Sequence, residues 1–171
     1  DSPWLDDACS LVEAFRKGER SPVEELGATF DAIERSDLNC FSFLDRDRAE
    51  AAAKAADVSK PFGGVPFGVK ELDQIQGWPD TQASLLFADR VATYTGNAVG
   101  RAIDIGGAVP VGLTTASEFG GLNVSITKLN GVTHNPWRHG RTCGRSSCGS
   151  ASAVSGGPVS LASGRDRRGS P

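Results

Sequence analysis

A strand–helix–strand pattern constrains this chain more than any other feature of it. "GGVPFGVKELD" carries a short strand, Phe67 to Lys70, that emerges from a turn built of glycines and a proline. "TGNAVGRAIDIGG" then reads as a helix. It leads into "AVPVGLTTASE", a buried strand followed by a polar loop. Elements in this order bury their apolar faces by packing helices against a sheet, so the chain is α/β.

Helices precede that unit. In "SPWLDDACSLVEAFRKGE", Ser2 is the expected N-cap and Pro3 the first helical residue. Leu5, Ala8, Leu11, Val12 and Phe15 fall at helical spacing, and Gly18 stops the run. "SPVEELGATFDAIERSD" repeats the device, with Ser21, Pro22 and Glu24 forming a capping box. Val23, Leu26, Phe30 and Ile33 are its expected buried stripe. "CFSFLD" (Cys40 to Asp45) alternates as a short strand, and "RDRAEAAAKAADVS" is an alanine-rich helix ended by Pro61.

From Glu118 to Pro171 the composition changes to Gly, Ser, Thr and Asn, with few periodic segments. A stretch of this kind inside a domain is functional or disordered. Ordered pieces within it, "HNPW" and "AVSGGPVSLA", favour function. The bulk properties narrow the function further. The chain has 171 residues, 39% hydrophobic and 23% charged, as expected of one globular domain. A net charge of −3 argues against a general nucleic-acid binder, which would present a basic face. No run approaches the roughly 20 apolar residues of a membrane helix. "DSPWLDDACS" has no positive region followed by an apolar core, so no signal peptide is expected. The lack of Met and the end at "RRGSP" suggest a fragment. Four scattered cysteines (Cys9, Cys40, Cys143, Cys148) fit reduced thiols in a cytoplasmic protein better than a disulfide framework.

The chemistry-bearing residues leave several readings open. "GGVPFGVKE" is not a phosphate loop, because Val69 intervenes before Lys70 and Glu71 follows it. Lys70 is either a surface lysine paired with Glu71 or Asp73, or a buried one. A buried lysine favours its neutral form and can act as a base. His134, His139, Cys143 and Cys148 lie close enough to suggest zinc, but their spacings suit no tight tetrahedral knuckle. A Ser-His-Asp triad lacks its nucleophile elbow. Serine needs a proton acceptor to become a nucleophile, and lysine can supply one. Two places are candidates: the serine-rich "GRSSCGSASAVSGG", and Ser170 in "GRDRRGSP", with Asp166 nearby. The competing readings are a flexible linker for the first and a frayed terminus for the second.

Taken in order, "GGVPFGVKELD", "GGAVPVGLTTASEFG", "THNPW", "GRSSCGSASAVSGG" and "ASGRDRRGS" resemble the amidase signature family. The N-terminal helices and "LNCFSFLDRDRAEAAAKAAD" resemble its opening. The resemblance implies an α/β fold with N-terminal helices followed by part of a mixed twisted sheet flanked by helices. It implies that residues 1–171 are the N-terminal portion of a single amidase domain, with a helical opening at about 2–58 and a catalytic-core segment at about 62–171. It also implies a Ser-cis-Ser-Lys triad. Lys70 matches the lysine, Ser146 the middle serine and Ser170 the nucleophile. Asp166 matches the aspartate of the last motif, and the backbone N–H groups of Arg167, Arg168, Gly169 and Ser170 match the oxyanion loop.

The implied reaction is hydrolysis of a carboxamide to an acid and ammonia through an acyl-enzyme, with no metal and no cofactor. The implied partners are a small-molecule amide and a second copy in a homodimer, with no membrane and no direct nucleic-acid contact. Two alternatives stand beside it. One is the amidase subunit of an aminoacyl-tRNA amidotransferase. The other is an inactive remnant, for which the departures from the family pattern speak: Arg145 and Cys148 replace glycines, Arg165 a threonine, Arg168 a glycine and Pro171 an aliphatic residue, and Pro158 sits in an expected helix. The stretch by itself is expected to be incomplete and without turnover.

Overall fold

The computed structural model describes residues 2–144 and 146–164. Five α-helices occur among them: α1 (Ala8–Lys17), α2 (Pro22–Arg35), α3 (Arg46–Lys54), α4 (Asn97–Asp104) and α5 (Cys148–Ser155). The strands are β1 (Phe41–Leu44), β2 (Pro66–Lys70), β3 (Val109–Thr114), β4 (Ile126–Thr127), β5 (Gly131–Val132) and β6 (Leu161–Ala162). The main sheet runs β1-β3-β2-β6, and β4 pairs with β5 in a small hairpin. β1 is antiparallel to β3, whereas β2 is parallel to both β3 and β6. The sheet is therefore mixed, and the expected strand–helix–strand unit is the parallel crossover β2–α4–β3.

Every residue of β2 and β3 is buried, as expected of central strands covered on both faces. One core cluster joins Leu26 and Phe30 of α2, Ala49 and Ala53 of α3, Val109 and Val111 of β3, and Ala153 of α5. A second joins Phe67, Val69 and Leu113 of the sheet to Val99 of α4 and to Ile75 and Trp78. A third packs Leu11, Val12 and Phe15 of α1 against Val65 at the entry to β2. Helices thus hold the two central strands from several directions. Among the described residues no helix is long and apolar enough to cross a membrane.

The capping box on α2 forms as the sequence reads: Ser21 accepts from the Glu24 N–H, and the Glu24 carboxylate accepts from the Ser21 N–H. Gly18 closes α1 at φ 72°, a left-handed conformation that glycine adopts without a steric penalty. Four expectations need correction. The α1 N-cap is Asp7 rather than Ser2, because the Asp7 carboxylate takes the Ser10 N–H; Leu5 then lies outside the helix, 92% exposed. Val23 faces out rather than into the stripe. α3 ends at Lys54, before Pro61, in a turn where Asp57 accepts from the Ser59 N–H. Pro158 lies beyond the end of α5, so it interrupts no helix.

Candidate active site

β2 ends at Lys70 in the interior of the sheet, beside Thr114 of β3. The side chain is 1% exposed. Its Nζ donates to the Ser146 Oγ at 2.8 Å and to the Ser147 Oγ at 2.7 Å. A lysine so placed is not the surface residue paired with Glu71 or Asp73, and that reading is set aside. The strand aims Lys70 because Val69 and Phe67 anchor it in the core and its last peptide is held from both sides. The Lys70 N–H donates to the Ser163 Oγ at 2.8 Å, and the Glu71 N–H donates to the Thr114 carbonyl at 3.0 Å.

The two serines reach Lys70 because a helix begins immediately after them. "GRSSCGSASAVSGG" is in large part α5, not a linker and not wholly a loop. Ser147 is its N-cap residue, and the helix makes no side-chain capping bond there; the hydroxyl is committed to Lys70. The small residues of α5 let it lie directly on the end of β3. Gly149 donates its N–H to the Thr115 carbonyl at 2.9 Å. A Cβ at Gly149 would stand 2.3 Å from the Thr115 nitrogen, so glycine is required by this close approach. Ala153 and Ser152 are fully buried as well, Ala153 in the core with α2 and α3 and Ser152 donating its hydroxyl to the His134 carbonyl at 2.8 Å.

Further hydroxyls extend the network. Thr114 Oγ1 and Ser150 Oγ lie 2.6 Å apart, and the Ser150 hydroxyl donates to the Ser163 carbonyl at 2.7 Å. The Ser163 hydroxyl donates to Asp73 at 3.1 Å. Ser163, which follows β6, thus lies beside Lys70. Ser170, Asp166, Arg167, Arg168 and Gly169 lie outside the described residues, as do Arg145, Arg165 and Pro171. Sequence reasoning singled out Lys70 and Ser146 but missed Ser147, Ser150 and Ser163. Their adjacency to Ser146 and to the last motif was the only available signal.

Cys148 is the first residue of α5, where cysteine is unstrained, so its replacement of a glycine does not speak for an inactive remnant. It is also disulfide-bonded to Cys143, with Cα atoms 5.3 Å apart. The reading of four reduced thiols is corrected for this pair, because the turn before α5 brings the two within bridging distance. The bond closes a loop around Ser146 and Ser147. Cys9 and Cys40 are free, and burial pushes the Cys40 thiol up to about 11. His134 and His139 stack with ring centroids 3.9 Å apart, and His139 faces Asp37 at 3.4 Å. Among the described residues no group of His, Cys, Asp and Glu is arranged to hold a metal.

A sheet that delivers a buried amine to a pair of serine hydroxyls at a helix start defines a candidate serine-dependent hydrolase with lysine in place of histidine. The amidase family model matches residues 24–170, and the chain belongs to that family. The chain is 36% identical to a glutamyl-tRNA(Gln) amidotransferase subunit of Akkermansia muciniphila over 92% of its own length and 34% of the relative's. It is 31% identical to an acylamidase of Rhodococcus erythropolis, covering 98% of this chain and 36% of that one. Among solved structures, 6-aminohexanoate cyclic dimer hydrolase superposes with a TM-score of 0.85 at 28% identity, over 92% of this chain and 33% of that one. The chain spans about a third of the length of these relatives.

Proposed function

We propose that the protein hydrolyses a carboxamide to a carboxylic acid and ammonia, and that this segment, as the N-terminal portion of a single amidase domain, supplies its proton relay. The observation that carries the reading is the buried Lys70 amine at 2.8 Å from the Ser146 hydroxyl. Neutral Lys70 takes the proton of Ser146, which takes that of Ser170. Ser170 attacks the amide carbonyl, and the N–H groups of Arg167, Arg168, Gly169 and Ser170 receive the developing oxyanion. The relay returns the proton to the leaving ammonia, and water releases the acid by the reverse path. Protons and electron pairs balance without a metal or an organic cofactor. A small-molecule amide substrate, a second copy as partner and a cytoplasmic location belong to the same proposal. The free thiols of Cys9 and Cys40 agree with a reducing compartment, and the Cys143–Cys148 bond argues the other way.

A second reading follows from the amidotransferase relatives: the same chemistry serves the amidase subunit of an aminoacyl-tRNA amidotransferase, which works with partner subunits. Ammonia release by the full-length protein from simple carboxamides separates the two. Turnover without partner subunits supports the hydrolase, and turnover only with partner subunits and charged tRNA supports the amidotransferase. In either case Lys70→Ala should lower turnover by about 10²–10⁴-fold, the usual contribution of a proton-transfer group, and Ser170→Ala, which removes the nucleophile, by about 10⁶-fold. Undiminished turnover in either variant would remove that residue from the scheme.

A further inference from the structure

Glu71 has no part in that scheme, yet it is as buried as Lys70, at 1% exposed. Its carboxylate gathers donors from distant segments. Oε1 accepts the Ala116 N–H at 2.7 Å. The Asn130 amide donates to Oε1 and Oε2 at 2.9 and 2.8 Å. Burial pushes the carboxyl above its ordinary value, against the opposing pull of the Ala116 N–H, the Ser42 hydroxyl and the Asn130 amide. A carboxylate is rarely held this far from water unless its bonds fix something.

What they fix lies on both sides of the proton relay. Glu71 is joined to Lys70 by one peptide bond, and its own N–H is tied to β3 through the Thr114 carbonyl. Ala116, held by the Glu71 carboxylate, precedes Ser117, whose N–H points at the Ser146 carbonyl at 3.4 Å. Asn130 sits in the β4–β5 turn, where its carbonyl accepts from the Asn39 side chain at 2.7 Å. We propose that Glu71 is a positioning residue for the Lys70–Ser146 pair: it anchors the strand end that carries the amine and the loop that borders the serine. The inference rests on the reaction proposed above.

The substitution Glu71→Gln tests it. Glutamine keeps the shape but turns an amide N–H₂ toward the Asn130 amide or the Ala116 N–H, setting donor against donor. In the full-length protein the expected result is a kcat lowered by about 10–10²-fold with KM nearly unchanged, the scale of a small misplacement of reacting groups. Glu25 is the structural control. It is equally buried, bonds the Trp4 N–H at 3.0 Å and is ion-paired with Arg20. Glu25→Gln should leave kcat unchanged. If Glu71→Gln does not fold, Asn130→Ala decides: a several-fold lower kcat at unchanged KM supports the role, and an unchanged kcat overturns it. A folded Glu71→Gln protein with wild-type kcat overturns it likewise. Lys70→Ala, run in parallel, keeps the two claims apart. If that variant retains turnover, the reaction scheme fails; if it loses turnover while Glu71→Gln keeps it, only the positioning role fails.

Discussion

Two kinds of carboxylate in this protein answer to pH in opposite senses. Glu24, at the surface, is held below its ordinary value by the Ser21 hydroxyl and the Ser21 N–H. Its contribution to stability is present at neutral pH and is lost as pH falls through its folded value. Glu25 is raised above 4.5 by burial, against the opposing pull of the Trp4 N–H and Arg20, and Glu71 is raised in the same way. A carboxyl raised on folding binds its proton more tightly in the native state, so its contribution is present below the unfolded value and is lost as pH rises through the folded one. Denaturant unfolding of wild type and Glu25→Gln should therefore show wild type losing ground to the variant as pH rises from 4.5. A gap that widens in wild type's favour over that range would reverse the assignment. Lys70 was legible in the sequence because a lysine closing an apolar strand is unusual there. Glu71, Ser147 and Ser163 were not, since a hydroxyl or carboxylate declares its role only when the partner segments, here Ala116, Asn130 and Lys70 itself, are folded beside it.

The parallel crossover and the capped helices follow local rules, and the sequence states them. Ser21, Pro22 and Glu24 mark where α2 begins, and Gly18 marks where α1 ends. The sequence conceals α5. Its glycine and serines have poor intrinsic helix propensity, and its apolar residues trace no stripe, because the face it buries, Cys148, Gly149, Ser150, Ser152 and Ala153, needs small side chains more than apolar ones. The close approach at Gly149 is what makes the element possible. Gly149→Ala puts a methyl group into the Thr115 backbone, which cannot give way without moving β3. The expected cost is at least about 1–3 kcal/mol, the range for overpacking a tight contact, read as a lower denaturant midpoint. An unchanged midpoint would mean that α5 stands off the sheet. Ser146 and Ser147 should then lose their contact with Lys70 as well.

At the scale of the molecule, the ordered motifs placed the chain in the amidase family, and the mixed sheet with its helices agrees with that placement. None of those motifs alone is distinctive; their order and spacing are. The described sheet ends at β1 and β6, and the chain spans about a third of its relatives' length. In the proposed reaction this segment carries the relay, the nucleophile Ser170 and the N–H groups that receive the oxyanion. The central claim is that Lys70 activates Ser170 through Ser146. Its most direct test is a fluorophosphonate probe applied to the full-length protein, followed by peptide mapping, in wild type and in Lys70→Met. Methionine fills the same buried space without the amine, and an apolar side chain of similar volume is the replacement a buried site tolerates best. Label is expected on Ser170 in wild type, with little or none in a folded Lys70→Met protein. Label on a serine other than Ser170, or equal labelling of Ser170 without the amine, would contradict it.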